Sequence, residues 1–164
     1  MKGNFERCLA ITLKWEGGYS NNPADPGGAT NFGVTWREYN RYRQNHGLPS
    51  QSVKLISKQE VRDIYLNNYW AAMKCDDLPA GYDLCVFDAA VNSGTGRAAA
   101  WEKGYKSIDN FCAARLAFLQ HLGRLWRVFG RGWGQRVTGI KAQARAMVPA
   151  NDNGVAVVST KAAA

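Results

Sequence analysis

The sequence predicts a mainly α-helical domain that carries one small β-hairpin near its N-terminus. Apolar residues recur at helical spacing through most of the 164 residues. Two Ser/Thr-x-x-Glu patterns, Thr35–Glu38 and Ser57–Glu60, are typical of helix N-termini. Apolar and polar residues alternate over residues 28–36, which indicates a hairpin. A chain of this length can bury a sufficient core without metals or disulfides.

The first predicted helix begins after Asn4, its expected N-cap, and ends before Gly17 and Gly18. This places Glu16 at the C-terminal end of an apolar helix. The partial negative charge of a helix C-terminus, together with neighbouring aromatic bulk, disfavours an ionised carboxylate. A carboxyl group that stays protonated near neutral pH is what a general acid requires. Glu16 is therefore a candidate general acid.

A turn-rich segment follows, and its prolines and glycines favour a rigid, non-helical loop around Asp25. Thr30 lies five residues later, where the predicted hairpin begins. These three residues thus occupy a helix end, a loop and a strand start, an arrangement that can enclose a cleft. Paired carboxyl groups that flank a bond are typical of glycoside hydrolysis. Taken singly, each acid is explained as well by a solvated helix end or by an Asx-turn, so the hypothesis depends on their combination.

More helices are predicted along the middle of the chain, at residues 36–45 and at residues 57–73. The most apolar segment surrounds Asp88 and Asn92, and it is the expected central core helix. Asp88 and Asn92 are four residues apart and so share one helix face. They either tie neighbouring loops from inside the protein or line the cleft.

Two further helices are predicted near the C-terminus, one after the candidate N-cap Ser107 and a last amphipathic one from Trp133 to Met147. Between them, over residues 124–136, arginines alternate with aromatic residues. Such a pattern can bind single-stranded nucleic acid, but no recognised nucleic-acid motif accompanies it, and no nucleic-acid partner is expected. Residues 149–164 lack helical periodicity and bulky side chains, which predicts a disordered tail.

Charge is distributed unevenly along the chain, whose net charge is +8. Residues 1–96 contain 10 basic and 10 acidic residues, whereas residues 97–164 contain 11 basic and 3 acidic ones. A basic second half favours an anionic partner, such as nucleic acid, a membrane surface or a polyanionic wall polymer. The simpler alternative is a solvated surface that keeps the protein soluble.

The four cysteines, Cys8, Cys75, Cys85 and Cys112, show no metal-site spacing, and the two histidines lie far apart. We therefore expect no metal and no cofactor. Apolar helical surroundings predict buried thiols for three of the cysteines, and a disulfide between Cys75 and Cys85 is left open. The N-terminus lacks the features of a signal peptide, and no apolar run approaches the length of a membrane span.

The stretch Glu16–Trp36, EGGYSNNPADPGGATNFGVTW, resembles the signature of glycoside hydrolase family 108, the N-acetylmuramidases of phages and some bacterial secretion systems. VFDAAVNSG, residues 86–94, resembles the start of the peptidoglycan-binding region that usually follows in this family, and GWGQRV, residues 132–137, is similar to the family as well. The resemblance implies a lysozyme-like helical fold. It divides the chain into a catalytic region, residues 1–85, and a helical peptidoglycan-binding region, residues 86–148, packed as one compact unit.

The order of Glu16, Asp25 and Thr30 also resembles the catalytic triad of phage-type lysozymes, with a difference of one residue in the second gap. The resemblance implies hydrolysis of the β-1,4 bond between N-acetylmuramic acid and N-acetylglucosamine. Glu16 would protonate the leaving oxygen, Asp25 would hold the attacking water or stabilise the oxocarbenium-like centre, and Thr30 would help to place that water. Substrate contacts are expected from Tyr19, Asn31, Phe32, Asp88 and Asn92.

Two other functions fit the same residues. A lytic transglycosylase uses one glutamate without water and leaves a 1,6-anhydro product, and a non-catalytic module would bind the wall without cleaving it. In each case peptidoglycan is the expected partner. Because no signal peptide is visible, we expect synthesis in the cytoplasm, export by a phage holin or a secretion apparatus, and action as a monomer in the periplasm or at the cell wall.

Overall fold

A computed structural model describes residues 3–21 and 28–149. Within these residues seven α-helices and one two-stranded sheet form the fold, which confirms the mainly α-helical class. Asp25 and residues 150–164 of the predicted tail lie outside the described residues. The elements are α1 (Phe5–Leu13), β1 (Thr30–Asn31), β2 (Val34–Thr35), α2 (Trp36–Asn45), α3 (Lys58–Tyr65), α4 (Tyr82–Ser93), α5 (Thr95–Gly104), α6 (Ile108–Gln120) and α7 (Arg124–Arg145).

The predicted hairpin is present at residues 30–35. β1 and β2 pair antiparallel, with Thr30 opposite Thr35 and Asn31 opposite Val34. The two residues between the strands, Phe32 and Gly33, have φ angles of 49° and 73°. Positive φ at both central residues is the signature of the tight two-residue turns whose twist matches that of paired strands.

Helix N-termini follow the predicted capping pattern at three places. Thr35, Ser57 and Ser107 each accept a hydrogen bond from the backbone N–H three residues on, which begins α2, α3 and α6. Asn4 differs from the prediction, because its side chain makes no cap and instead donates to Asp83 Oδ2 at 2.8 Å. That bond joins the start of α1 to α4. Past α3 the chain continues without interruption into a π-helix, Leu66–Ala71.

The centre of the core is α4, as predicted, and every residue from Tyr82 to Ala90 is buried. Phe5 of α1 and Trp70 of the π-helix meet Phe87 of α4 edge to face, at centroid distances of 6.0 and 5.5 Å. The core continues without a break from α1 to α7. The predicted division after residue 85 falls inside α4, so both predicted regions share this helix. Their separate roles stay a prediction.

The last helix is longer than predicted, because α7 begins at Arg124 rather than at Trp133. Glycine normally weakens a helix, and this segment contains several. Two of them serve close packing: a Cβ atom at Gly130 would lie 2.5 Å from Trp126, and one at Gly139 would lie 2.5 Å from Trp15. Packing of tryptophan rings onto bare helix backbone thus outweighs the low helix propensity of this segment.

All four cysteines are buried, and none forms a disulfide. The Cys85–Cys112 pair, on α4 and α6, has an Sγ–Sγ distance of 3.6 Å, so the nearest thiol neighbour of Cys85 is not the one considered from sequence. Burial raises the pKa of the Cys8 thiol to about 12. Among the described residues no group of three or more His, Cys, Asp and Glu side chains has the arrangement of a metal site. No helix there has the length and hydropathy of a membrane span.

Candidate active site

Glu16 lies just past the C-terminus of α1, as predicted. Tight turns close this helix, with the Trp15 and Glu16 amides donating to carbonyls three residues back, at 2.9 and 3.3 Å. The Glu16 side chain is 17% exposed and lies beside the hairpin turn. A Cβ atom at Gly33 would lie 2.7 Å from Glu16 Oε2 and 2.6 Å from the Tyr65 hydroxyl. Glycine at position 33 therefore provides both the positive φ of the turn and the space for this carboxyl group.

Tyr65, near the end of α3, anchors the hairpin beside Glu16. Its hydroxyl donates to the Phe32 carbonyl at 2.7 Å. Burial is the larger of two effects that raise the pKa of Tyr65 well above its ordinary value, and the negative charge of Glu16 is the second. The phenol therefore stays neutral and keeps its hydrogen available to the Phe32 carbonyl.

Arg136 of α7 joins Glu16 to the core. Its Nη2 atom lies 2.8 Å from Glu16 Oε1 and 2.8 Å from Asp88 Oδ1. Its Nε atom donates to both Asp88 oxygens at 3.1 Å. Burial alone would lower the pKa of Arg136, but the charges of Asp88 and Glu16 outweigh burial and raise it. The guanidinium is therefore permanently charged and fixed by two acids at once.

Asp88, on the central helix α4, is fully buried between two arginines. Arg115 Nη1 donates to Asp88 Oδ2 at 2.7 Å, and Arg115 Nη2 donates to Asn92 Oδ1 at 3.0 Å. Burial would raise the pKa of Asp88, but Arg115 and Arg136 lower it below its ordinary value. A continuous polar row therefore runs from the partly exposed Glu16 through the core: Glu16, Arg136, Asp88, Arg115 and Asn92.

Two residues predicted to contact substrate are buried. Asp88 has no exposed surface and is connected to Glu16 through Arg136. Asn31 is buried as well, and its side-chain amide donates to the Val53 carbonyl at 3.3 Å. It ties β1 to the 3-10 helix Val53–Leu55. Both residues shape the site from behind its surface.

The other predicted site residues stay predictions. Tyr19 is exposed, and Lys54 Nζ lies 5.5 Å from its ring centroid. Thr30 is half-buried, and its backbone pairs with Ser20 in an isolated bridge with N–O distances of 2.8 and 2.9 Å. Phe32 and Asn92 are half-buried, at the hairpin turn and near the end of α4. Asp25 lies outside the described residues.

Sequence reasoning missed Arg115 and Arg136 as parts of the site, although a signal for both was present. Each arginine falls on the apolar face of an amphipathic helix, between residues that the periodicity assigns to the core. A buried charge requires a buried partner, and Asp88 is the acid on the most apolar helix. Gly33 and Tyr65 carried no comparable signal, because their contact with Glu16 depends on tertiary packing.

The comparisons with known proteins identify the family and the fold. Residues 9–94 match the family Glycosyl hydrolase 108. The solved structure of SagA from Brucella abortus matches with a TM-score of 0.75 and 34% sequence identity, over 90% of this chain and 97% of that chain. The comparison with curated proteins finds no match. Glu16, the hairpin and Asp88 lie inside the family match, whereas Arg115 and Arg136 lie beyond its end.

Proposed function

The chain belongs to the glycosyl hydrolase 108 family, and on this premise we propose that it hydrolyses the β-1,4 bond between N-acetylmuramic acid and N-acetylglucosamine in peptidoglycan. Membership of the family supports a glycoside hydrolase. The observation that carries the proposal is the position of the Glu16 carboxyl group, half-buried between the end of α1, the hairpin turn and Arg136. A carboxyl group held in one orientation at a cleft wall is suited to transfer a proton.

In the proposed reaction Glu16 protonates the glycosidic oxygen as the bond to the anomeric carbon breaks. Arg136 binds Oε1, so Oε2, the oxygen beside the hairpin turn, is the one assigned to the proton. Water then adds to the oxocarbenium-like centre and loses a proton to a carboxylate, to Asp25 if Asp25 holds the water or back to Glu16 if Asp25 stabilises the centre. Asp25 is assigned to hold that water or to stabilise the positive centre, and Thr30 to help place it. Two carboxyl groups with these duties are sufficient for the reaction without a metal.

The glycan and its stem peptides are assigned to two kinds of surface. Aromatic rings can stack on sugar rings, which suits the exposed Tyr19 and the accessible part of the half-buried Phe32 beside the hairpin. Stem peptides carry carboxylates, which suit the basic residues of the proposed peptidoglycan-binding region, residues 86–148. We also propose that a holin or a secretion apparatus exports the protein to its substrate.

The test is clearing of purified peptidoglycan by the wild-type protein and by Glu16→Gln, which keeps the shape of the side chain and removes the acid. We expect the variant to clear the suspension about 10²–10⁴-fold more slowly. Glu6→Gln is the matched control, because Glu6 lies on the same helix but is exposed and pairs with Arg62 on the surface. It should clear at the wild-type rate.

Two results would contradict the assignment. Equal clearing by wild type and Glu16→Gln would remove Glu16 from the chemistry, and binding without clearing by the wild type would indicate a non-catalytic module. Mass spectrometry of the products separates hydrolysis from transglycosylation, since a 1,6-anhydro product is lighter by one water molecule. We expect the hydrated product.

A further inference from the structure

The first turns of α7 expose an apolar stripe. Leu125, Val128 and Phe129 are 50%, 67% and 51% exposed. Their spacing of three and four residues places them on one helix face. The half-buried Trp126 and Trp133 lie on the neighbouring side of the same turns and pack against the core, and the Trp133 ring lies 5.6 Å from that of Phe129. A surface helix normally turns its apolar stripe inward, but on this segment half or more of each of Leu125, Val128 and Phe129 remains exposed.

Three arginines lie alongside this stripe. Arg124, Arg127 and Arg131 are exposed and stand one helical turn apart. At 100° per residue Arg124 and Arg131 lie about 40° and 60° around the helix from Val128, at one edge of the apolar stripe, and Arg127 lies further round. None of the ion pairs between described residues involves any of the three.

Each of the other cations of α6 and α7 has an acidic partner. Arg115 and Arg136 bind Asp88 in the core, and Lys141 and Arg145 bind Asp109 on the surface at 2.8 and 2.7 Å. The sequence contains no acid from residue 110 to residue 151. Among the cations of α6 and α7, the three that make no ion pair with a described residue are therefore those of the first turns of α7, beside the exposed apolar residues.

We propose that this surface docks on the headgroup region of an anionic lipid bilayer. The surface, here named the outer face of α7, comprises Arg124, Leu125, Arg127, Val128, Phe129 and Arg131. An apolar stripe beside a basic row is the pattern of helices that lie in a membrane interface, with the apolar side chains among the acyl chains and the arginines at the phosphates. The helix lies on the bilayer and does not cross it.

The composition of the outer face of α7 favours lipid over a polysaccharide. Leu125 and Val128 present aliphatic surface, which gains free energy among acyl chains but offers a sugar no hydrogen bond. Sugar sites combine aromatic planes with hydrogen-bonding groups, whereas two of the three exposed apolar side chains of this face are aliphatic and only Phe129 is aromatic. The inference does not depend on the proposed hydrolase activity, since none of these residues lies near Glu16 in the described contacts.

The test is flotation of the purified full chain with vesicles of phosphatidylcholine, with and without phosphatidylglycerol. We expect binding only to the anionic vesicles, and less of it at high salt. Leu125→Ser/Val128→Ser should weaken binding about tenfold or more, and Arg127→Gln/Arg131→Gln about fivefold for each arginine. All these side chains are exposed, so thermal unfolding should stay at the wild-type temperature.

Matched controls lie elsewhere on the surface. Leu55→Ser removes a 64% exposed leucine next to the hairpin, and Arg7→Gln removes an exposed charge from α1. Both should bind vesicles like the wild type. The proposal is overturned if neutral vesicles bind equally well, if the outer-face variants bind as well as the controls, or if the wild type does not float.

Three further measurements identify another occupant of the outer face of α7. Loss of binding to peptidoglycan or to a single-stranded oligonucleotide in the same variants, without vesicle binding by the wild type, would replace lipid by that polymer. A change from dimer to monomer in sedimentation would assign the face to a second copy of the chain. Peptidoglycan clearing is measured separately, so loss of the hydrolase proposal leaves this result unaffected.

Discussion

Arg136 binds two carboxylates at once in a geometry that a lysine cannot reproduce. Its guanidinium holds the buried Asp88 with Nε and Nη2 and reaches Glu16 with Nη2. The planar, rigid group fixes both carboxylates in one geometry, whereas an ammonium is a point charge on a flexible stem. Arg136 is therefore a positioning residue, which acts through Glu16 and does not itself touch the reacting bond.

Arg136→Lys keeps the charge but loses the fixed fork, so the Glu16 carboxyl group loses its orientation. We expect kcat on a soluble peptidoglycan fragment to fall between about tenfold and 100-fold, with KM nearly unchanged, because a small misplacement of a reacting group costs rate. Steady-state kinetics at one pH provides both constants. Arg62→Lys, at the surface pair with Glu6, is the control and should leave kcat intact. A rise in KM of about tenfold to 100-fold, with kcat unchanged, would show that Arg136 binds substrate instead.

At the residue scale, sequence reasoning located Glu16 but not its partners. The end of α1 could be predicted because two glycines follow an apolar periodic segment, a purely local signal. Arg136 is 120 residues further along the chain, and no local rule pairs it with Glu16 rather than with another acid. The burial of Asp88 could be inferred from its apolar helix, but the substrate contact assigned to it required exposure that the structure does not provide.

At the scale of elements, helix starts that depend on local capping could be predicted from the sequence, whereas the start of α7 could not. Thr35, Ser57 and Ser107 begin helices because their side chains satisfy backbone N–H groups that have no other partner. The predicted start of α7 was wrong because residues 124–136 were interpreted by their arginine and aromatic pattern and not as part of the helix. Glycine weakens a helix, but it also allows a ring to approach the backbone, and at Gly139 that ring is Trp15 from another segment, which periodicity cannot indicate.

Two glycines of α7 allow the effects of glycine on packing and on helix propensity to be measured separately. A Cβ atom at Gly130 would meet the Trp126 ring at 2.5 Å, whereas one at Gly132 would meet nothing within 4 Å. Gly130→Ala should therefore lower the free energy of unfolding by about 1–3 kcal/mol through overpacking. Gly132→Ala should raise it by about 0.5–1 kcal/mol, because alanine is the better helix former. Urea unfolding of both variants is the measurement, and a gain in stability for both would refute the packing role of Trp126.

At the scale of the whole molecule, α4 joins the two halves of the chain. The family match ends at residue 94, yet the arginines that complete the polar row come from α6 and α7. The helices predicted to bind peptidoglycan thus also hold the candidate general acid. The two predicted regions are connected here, because the Glu16 carboxylate pairs with an arginine from the C-terminal half, and their separate roles stay a prediction.

The ionisation of Asp88 makes the stability of this connection depend on pH. Arg115 and Arg136 outweigh the effect of burial and lower its pKa in the folded protein, so the ionised form stabilises the fold. That stabilisation is complete above the unfolded pKa of about 3.9 and is lost as pH falls through the lower, folded pKa. The free energy of unfolding of the wild type should therefore decline in the range below about pH 4.

Asp88→Asn leaves two buried guanidinium groups without their shared anion, and we expect it to cost about 3–5 kcal/mol at neutral pH. A domain of this size has a typical stability of about 5–15 kcal/mol, so the variant should still fold. Below about pH 4 its stability should fall less steeply than that of the wild type, since the titrating carboxylate is gone. Asp109→Asn, at a surface cluster, is the control and should stay within about 1 kcal/mol of wild type. Equal losses in the two variants across the pH range would mean that Asp88 is not the anion that holds the halves together.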